Sequence, residues 1–550
     1  MKKKENVMDF LWKYIGSTEL VILSFTVFCG VLLHGIFKPL FYWSHRGVPS
    51  ISAFPIVGSI LDSLLQRKFI GEIYMEMYQK LEGKRYGGFL KFTKPSIILR
   101  DPEIIKIVLE KAFPSFHDND LALNEEIEPM FGRNLFVATG EQWKQLRSHL
   151  SPAFTTGKIR SIYPLVQEVC GNLNAYLEVN AGSEIEMKDL CARFTTEVVS
   201  SCAFGVHSDA IHMPNSEFRL MALEMLNPSP ARAAIVMFLL HFPWTLRFIP
   251  ITLLPDNVTN FFRRLVREVA VYREREGIQR NDFMDLLIQL KKDGKLGRKL
   301  EQEKPSDEND DRSKDSLKGK GVSASWDPES IDDVAAQALG FFVDGSETSA
   351  TLMSFAFFEL AHNCDIQEKL RTEIKQVRNK YEGEISYDAL QEMSYLEMVL
   401  LETLRKYPPA SFMARLTTKP FKLPSPEMDS GEDDGKVLLQ LDTPVIIPVL
   451  ALHRDPKYYP DSEVFDPERF SEENRRRRER FVFLPFGEGP RICIGKRFGL
   501  MQSKAAIATV LLSYELLPSD QTLPPVTFDP TQFLTSSSSQ LWVYVKKLKT

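Results

Sequence analysis

The sequence predicts a mainly helical fold with a small β-rich portion and a helical membrane anchor near the N terminus. Apolar residues recur at helical spacing over most of the 550-residue chain. Residues 84–100 alternate enough to predict a short hairpin, with Gly87-Gly88 as its turn signal. Residues 20–37 contain no Asp, Glu, Lys or Arg. As a helix they would extend about 27 Å, close to the thickness of the hydrocarbon core.

The anchor prediction divides the N-terminal region into three parts. Residues 1–19 form a short leading segment, residues 20–37 the transmembrane anchor, and residues 38–60 a proline-containing linker. No small-x-small cleavage site stands out, so a retained anchor is favoured over a cleaved signal. Four lysines precede the anchor, and Lys38 and Arg46 follow it. Charge counting alone would therefore place the N terminus in the cytosol.

Composition excludes several classes of function. The formal charge of −5 and the isoelectric point near 6.1 give no case for nucleic-acid binding. The six cysteines include no Cys-x-x-Cys pair, which argues against a disulfide scaffold or a zinc site. Residues 291–329 are highly charged with few apolar residues, and they predict a disordered insertion within one large domain, residues 61–550.

The segment from Phe486 to Gly495 predicts a cysteine ligand for a haem iron. Gly489 allows a positive φ, Gly495 lets the backbone pass close to a flat macrocycle, and Arg491 carries a charge suited to a haem propionate. A helix that begins near Cys493 points free N–H groups at the sulfur, which favours the thiolate. Phe486 can keep water off that sulfur. A thiolate ligand favours O–O cleavage, so the segment indicates oxygen activation.

Three other patterns accompany this segment along the chain. Glu402 and Arg405 can pair on one helix face because they are three residues apart. Trp143 and Arg147 are four apart, so both reach one side of a helix. Residues 331–360 are mostly apolar and predict a buried helix. A polar cluster interrupts the centre of this helix, which indicates a functional role for the cluster.

Together these segments resemble the cytochrome P450 family. The run around Cys493 matches the haem-binding signature Phe-x-x-Gly-x-Arg-x-Cys-x-Gly at all five fixed positions. Glu402 and Arg405 match the family's Glu-x-x-Arg motif, and Arg469 lies in the tetrapeptide with which that motif forms a buried structural network. Phrases such as residues 150–155 look most like insect microsomal members related to the vertebrate drug-metabolising group.

The resemblance implies the cytochrome P450 fold and haem b ligated by Cys493. Trp143, Arg147, Arg415 and Arg491 would hold the haem propionates. It implies monooxygenation with electrons that NADPH supplies through cytochrome P450 reductase, with cytochrome b5 as a further candidate partner. It also implies the endoplasmic reticulum membrane, with the catalytic domain in the cytosol. Family topology is preferred to charge counting here, because the enzyme needs cytosolic electrons.

The family's oxygen-activating helix carries the motif (Ala/Gly)-Gly-x-(Asp/Glu)-Thr, which corresponds to residues 344–348. Gly345 would sit at a widened turn that accepts O2 and water. Thr348 would hydrogen-bond to the oxygen being activated, and Glu347 would relay protons from solvent. For a lone helical threonine, the simpler structure is a hydroxyl bonded back to the i−4 carbonyl, and both can hold at once.

Asp344 departs from the family pattern, which has Ala or Gly at that position. It lies four residues before Thr348, on the face that looks at the haem in this fold. Three explanations stay open. The carboxyl is protonated or hydrogen-bonded and structural; it steers a basic or hydroxylated substrate; or it esterifies a haem methyl. The fatty-acid ω-hydroxylating branch forms such an ester through Glu, which is one methylene longer.

The resemblance also suggests the surroundings of the site. Besides Asp344, the candidate pocket residues are Phe341, the loop from Phe116 to Phe136, Phe412 and Leu534. The basic run over residues 475–480 is expected either to dock a reductase on the cysteine side or to be an ordinary solvated charge run.

The expected substrates are apolar organic molecules: xenobiotics such as insecticides and plant toxins, or hormones and lipids. Two other functions stay open. One is a thiolate-haem isomerase or dehydratase that needs no NADPH, which the Glu347-Thr348 pair argues against because that chemistry needs no proton relay. The other is a non-catalytic haem protein.

Overall fold

The computed structural model shows a mainly helical fold with small β-sheets, as predicted. It describes residues 17–121, 128–226, 232, 235, 252, 254–280, 282–289, 330–428 and 435–549. The insertion predicted over residues 291–329 lies outside the described residues. The α-helices within them span Ser17–Phe37, Leu61–Leu64, Ile70–Lys80, Pro102–Lys106, Pro129–Gly132, Gly140–Leu150, Thr156–Asn180, Met187–Val199, Glu217–Leu226, Asp256–Glu276, 283–289, Ile331–His362, Cys364–Lys380, Tyr387–Glu392, Ser394–Lys406, Val449–Arg454, Glu472–Arg477 and Lys496–Ser513.

The strands pair into one sheet of mixed direction and two antiparallel sheets. The spatial orders are β1-β2-β7-β4, β3-β9-β8 and β5-β6, and the β2–β7 pair is parallel. The strands are β1 Tyr86–Lys91, β2 Lys94–Leu99, β3 Ser183–Glu186, β4 Met413–Leu416, β5 Phe421–Leu423, β6 Val437–Leu439, β7 Pro444–Ile447, β8 Tyr514–Pro518 and β9 Trp542–Lys547.

The predicted hairpin is present, but the prediction of its turn at Gly87-Gly88 was wrong. Both glycines lie inside β1, and the chain turns after Lys91, where Phe92 has a φ of 57°. A Cβ at Gly87 would lie 2.3 Å from the Leu81 side chain, and one at Gly88 would lie 2.2 Å from the Trp43 ring. The glycines are therefore explained by close packing on the strand and not by turn geometry.

A helix, Ser17–Phe37, covers the segment predicted to be the membrane anchor. Across the described ranges, no helix is both long enough and apolar enough to cross a membrane, so the transmembrane prediction is not confirmed. The later part of the predicted linker packs onto the main domain. Trp43 is buried, its indole Nε1 donates to the Phe89 carbonyl oxygen at 3.1 Å, and Ser50 forms a β-bridge with Gly88.

The long helix Ile331–His362, here called the central helix, organises the core. The Ser330 hydroxyl caps its first turn by accepting from the Asp333 N–H, and acidic residues there complement the helix dipole. It packs against the helices Met187–Val199 and Lys496–Ser513, and buried apolar clusters lie on either side of it. This packing places the polar cluster of the central helix inside the protein. The helix Lys496–Ser513 is called the cysteine helix below.

Candidate active site

The Cys493 sulfur lies at the N-terminal end of the cysteine helix. The Cys493 N–H donates to the Phe486 carbonyl oxygen at 2.8 Å, which closes the loop. Burial raises the pKa of the thiol and the Asp344 carboxylate raises it further, whereas N–H donation from Gly495 and Lys496 lowers it. These backbone donors stabilise the thiolate, as expected for a cysteine at a helix N terminus.

Two positions of this loop are glycine for different structural reasons. Gly489 has a φ of 76°, and a Cβ there would lie 2.1 Å from the Leu109 carbonyl oxygen, so both conformation and space require glycine. Gly495 has an ordinary φ of −85°, and a Cβ there would meet no described protein atom within 4 Å. The open side of Gly495 is where a flat group could approach the backbone, as the sequence predicts.

Three arginines converge beside this loop. Burial lowers the pKa of Arg415 to about 10. Burial, together with the charges of Arg415 and Arg147, lowers the pKa of Arg491 to about 9. Asp118 lies 3.5 Å from Arg491, and Asn119 accepts from Arg415 Nη1 at 2.6 Å. Within the described residues, however, Arg415 Nε is buried without a hydrogen-bond partner, so the cluster offers cationic donors to an anion.

Trp143 joins this cluster from the helix Gly140–Leu150. The Arg491 guanidinium lies 4.4 Å from the Trp143 ring centre, a cation–π contact, and Phe113 packs against the same ring at 5.6 Å. Arg491 also donates to the carbonyl oxygens of His117 and Ala138. The structure thus brings together Trp143 and the arginines that were predicted separately.

These residues fit a haem. The Cys493 sulfur, with N–H groups aimed at it, is suited to ligate the iron, because thiolate ligation is one of the established axial modes. Arg147, Arg415 and Arg491 are suited to the two propionates, since guanidinium binds carboxylates through fixed, directional donors. Arg415 Nε is buried without a hydrogen-bond partner in the described residues, which indicates that an anion binds there.

We expect Arg415→Gln to weaken haem retention. The change removes a buried, charge-assisted donor to a propionate, so the rate of haem loss should rise about tenfold or more. The measurement is haem transfer from the holoprotein to excess apomyoglobin. The exposed Arg477, paired with Glu473, supplies the matched control Arg477→Gln. Equal transfer rates for wild type and Arg415→Gln would show that Arg415 does not hold the cofactor.

The polar cluster of the central helix contacts the cysteine helix. The Thr348 hydroxyl donates to the Asp344 carbonyl oxygen at 2.6 Å, the i−4 arrangement considered from sequence. The helix is α throughout, so the widened turn expected at Gly345 does not appear as a break. Instead, Gln502 of the cysteine helix donates to the Gly345 carbonyl oxygen at 3.0 Å and to the Ser349 hydroxyl at 2.8 Å.

Glu347 points towards the helix Met187–Val199 and forms an ion pair there. Lys188 Nζ lies 2.5 Å from the Glu347 carboxylate and donates to the Thr351 hydroxyl at 2.7 Å. Lys188 also lines a cleft of about 180 Å³, together with Glu186 and residues 536–541. Sequence reasoning missed Lys188, since no local pattern connects it with a carboxylate 159 positions later.

Asp344 presents its carboxylate to the interior of the site. The residue is exposed to a water-sized probe, unlike the buried Phe342 and Ser346 beside it, yet protein surrounds it on every side. Burial raises the pKa of this carboxyl to about 7. The Asp344 charge raises the pKa of the Cys493 thiol. The adjacent Gly345 lies beside the cysteine helix, since a Cβ on it would be 3.9 Å from the Phe498 ring.

The other predicted pocket residues are aromatic and lie in two places. Phe341 stacks between Phe154, at a ring-centre distance of 5.0 Å, and Phe283, at 3.4 Å, so it belongs to a packed aromatic cluster. Phe412 contacts Tyr74 at 5.0 Å and the exposed Phe533 at 5.8 Å. Leu534 is the chain neighbour of Phe533, and its place in the pocket stays a prediction. Of the predicted loop 116–136, residues 122–127 lie outside the described residues.

Glu402 and Arg405 form a fully buried bidentate pair, with both N–H···O distances at 2.7 Å. Arg405 also donates to the His453 carbonyl oxygen at 3.0 Å. Arg469 Nε lies 3.6 Å from the Glu402 carboxylate, and the Asp466 N–H donates to the same oxygen at 2.9 Å. The predicted network therefore exists as a set of contacts, and it fixes the segment that leads to the sulfur loop.

Comparison with known proteins agrees with this geometry. The family model "Cytochrome P450" matches residues 48–543. The chain is 36% identical over 521 residues to cytochrome P450 6k1 of Blattella germanica, covering 94% of this chain and 95% of the relative. It is 35% identical to cytochrome P450 9e2 of the same insect, with 98% of each chain covered. It is also 36% identical to probable cytochrome P450 6a13 of Drosophila melanogaster, with 96% and 99% covered. The chain belongs to the cytochrome P450 family and is a haem-thiolate monooxygenase.

Proposed function

We propose that this monooxygenase oxidises apolar small molecules with electrons that NADPH supplies through cytochrome P450 reductase, cytochrome b5 being a second candidate donor. The bound haem supplies oxygen activation: one atom of O2 enters the substrate, and the other leaves as water with two electrons and two protons. The observation that carries the proposal is the Glu347–Thr348 pair on the central helix, where Glu347 forms an ion pair with Lys188 and Thr348 donates to the Asp344 carbonyl oxygen. An isomerase that acts on peroxides would not need side chains that transfer protons in this way.

The proposed substrates are xenobiotics, such as insecticides and plant toxins, or hormones and lipids. The aromatic cluster of Phe412, Tyr74 and Phe533 supports an apolar substrate, because aromatic walls bind apolar surface without directional demands. Loops set the shape of the rest of the pocket. These aromatic residues therefore support a chemical class of substrates and not one compound.

The test is product profiling by mass spectrometry with recombinant protein, reductase and NADPH. Candidate substrates are fatty acids, terpenoids, steroids, plant toxins and insecticides. Oxygenated products that carry label from 18O2 and require NADPH are expected. Products from many apolar compounds would support a detoxifying enzyme, and turnover of one lipid class would support hormone or lipid metabolism. Product formation without NADPH would contradict the proposal.

We further propose that protons reach the site through Glu347, with Lys188 as its positioning residue. Lys188 connects the Glu347 carboxylate to a cleft whose lining includes five serines, which supports entry of solvent protons there. Thr348 would then orient the last hydrogen bond towards the oxygen. The Thr348 hydroxyl must leave the Asp344 carbonyl, or share its hydrogen atom, to do so.

Replacement of Lys188 tests this route. In Lys188→Gln we expect the product formed per NADPH oxidised to fall about tenfold, less than the roughly 10²–10⁴-fold that general acid catalysis contributes in full. Hydrogen peroxide release and the solvent isotope effect on turnover should rise, and Lys188→Arg should restore both because it keeps the cation. Unchanged coupling and isotope effect in Lys188→Gln, with normal haem content, would contradict the route.

The basic run supports reductase docking in part. Arg476 and Arg477 are exposed but pair with Glu472 and Glu473 one turn earlier, which lowers the net positive charge of the helix Glu472–Arg477. Arg480 lies 3.5 Å from Glu110. Docking would require these exposed pairs to exchange partners, which costs little at a solvated surface.

We propose attachment to the endoplasmic reticulum membrane through the helix Ser17–Phe37, with the catalytic domain in the cytosol. Val21, Ile22 and Phe25 are 68%, 64% and 67% exposed, so an apolar surface stands free on this helix. Deletion of residues 1–37 is expected to move most of the protein from the microsomal pellet to the supernatant, with haem content retained. Undiminished sedimentation of the truncated protein would show that other surfaces hold the membrane.

A further inference from the structure

We propose that Asp344 is a recognition site for a cationic amine on an otherwise apolar substrate. The inference rests on the proposed function, because it names the substrate class of the same site. The motif of the family's oxygen-activating helix has Ala or Gly at this position, so the carboxylate is a feature of this chain and not of the motif.

The hydrogen-bond donors near the Asp344 carboxylate are bonded to other groups. The Ser346 hydroxyl donates to the Phe342 carbonyl oxygen, and the Thr348 hydroxyl donates to the carbonyl oxygen of Asp344 itself. Lys188, on the neighbouring helix Met187–Val199, donates to the Glu347 carboxylate and to the Thr351 hydroxyl, so it is also committed. In the described part of the chain, no hydrogen bond or ion pair reaches the Asp344 carboxylate. A purely structural role would need such a partner.

Burial alone accounts for the raised pKa of Asp344, so no described cation offsets its charge. The buried arginines Arg415 and Arg491 are suited to the haem propionates, so neither is available to offset the charge of Asp344. Protein surrounds this carboxylate on every side, so its charge without a partner is costly, and an incoming cation would relieve that cost. The charge balance of the site therefore favours a cationic ligand over an anionic one.

Gly345, the residue after Asp344, is fixed from two sides: its carbonyl accepts from Gln502, and a Cβ on it would lie 3.3 Å from Val199. The Asp344 backbone is thereby held in place beside the cysteine helix, since the same Cβ would lie 3.9 Å from the Phe498 ring. An amine bound there would anchor the substrate close to the reacting centre. The apolar remainder would lie towards aromatic walls such as that formed by Phe412.

The test is a binding titration on the haem-loaded protein with two matched probes. One probe is 4-phenylbutyl-trimethylammonium, whose nitrogen has no lone pair and cannot ligate iron. The other is the uncharged isostere in which carbon replaces that nitrogen. Binding is followed by the haem difference spectrum and by calorimetry, without reductase or NADPH. Wild type is expected to prefer the cation about tenfold or more.

Variants decide whether Asp344 is the cause. Asp344→Asn and Asp344→Ala should lose the preference for the cation while binding of the isostere stays unchanged, and Asp344→Glu should keep it. Asp520→Asn, at an exposed turn after β8, is the matched control and should behave as wild type. No preference in wild type, or a preference that survives in Asp344→Asn, would overturn the proposal.

Two further outcomes would also overturn it. Haem that stays on the protein after acid–acetone extraction would mean that the Asp344 carboxylate is esterified. Equal, Asp344-dependent binding of 4-phenylbutanol would mean that the residue selects hydroxyl groups. Failure in any of these ways leaves NADPH-dependent turnover of neutral apolar compounds untouched, so it is distinguishable from failure of the proposed function.

Discussion

Cys493→Ser should abolish monooxygenation while leaving the fold intact. Serine occupies nearly the same space, but its hydroxyl stays neutral. In wild type, the N–H groups of Gly495 and Lys496 lower the pKa of the thiol against the effect of burial, and a thiolate is the form of cysteine that ligates a metal. A neutral oxygen does not supply the electron density that promotes O–O cleavage. We expect NADPH-dependent product formation to fall by at least about 10³-fold, equivalent to roughly 4 kcal/mol of activation free energy.

The measurement pairs turnover with the carbon monoxide difference spectrum of the reduced protein. Wild type should show the spectrum of thiolate ligation, and Cys493→Ser should lack it. Cys364→Ser is the matched control, because Cys364 is an exposed free cysteine at the start of another helix. A thiolate-type spectrum that persists in Cys493→Ser would show that another residue ligates the iron.

Glu402→Gln should cause the largest loss of stability. The change keeps the shape of the side chain but leaves the fully buried Arg405 guanidinium without its carboxylate. Breaking a buried, hydrogen-bonded ion pair from one side costs about 3–5 kcal/mol, because the remaining charge stays desolvated. The second cation, Arg469 at 3.6 Å, adds to the imbalance. Urea unfolding of the two haem-loaded proteins would measure the difference in free energy.

An exposed ion pair gives the control. Glu472→Gln breaks a one-turn pair with Arg476 in which both side chains are about four-fifths solvent-exposed, at 81% and 77%. Exposed pairs contribute about 0–1 kcal/mol, so the free energy of unfolding should hardly change. Equal losses in Glu402→Gln and Glu472→Gln would contradict a structural role for the buried network.

Sequence reasoning succeeded where the chemistry is local in the chain. The Glu402–Arg405 pair lies within one helical turn, so spacing alone defines which side chains meet. It failed for Gly87-Gly88, because a glycine required by close packing has the same one-dimensional signal as a glycine required by a turn. No pattern in the sequence near Gly87-Gly88 indicates that Trp43 and Leu81 are the packing partners of these glycines.

Contacts between distant segments were also beyond prediction. Lys188 meets Glu347, and His117 and Ala138 meet Arg491, only because the helices and loops that carry them fold together. Phe341 shares a helix with Asp344, yet Phe154 and Phe283 hold its ring in a packed stack. Periodicity gives the face of a helix but not the identity of the neighbour on that face.

The contact of Gln502 with Gly345 and Ser349 has a mechanical consequence. The cysteine helix begins beside the sulfur and, two turns later, is bonded to the middle of the central helix. These two hydrogen bonds tie the cysteine helix to the centre of the central helix, so a displacement of either helix would be transmitted to the other.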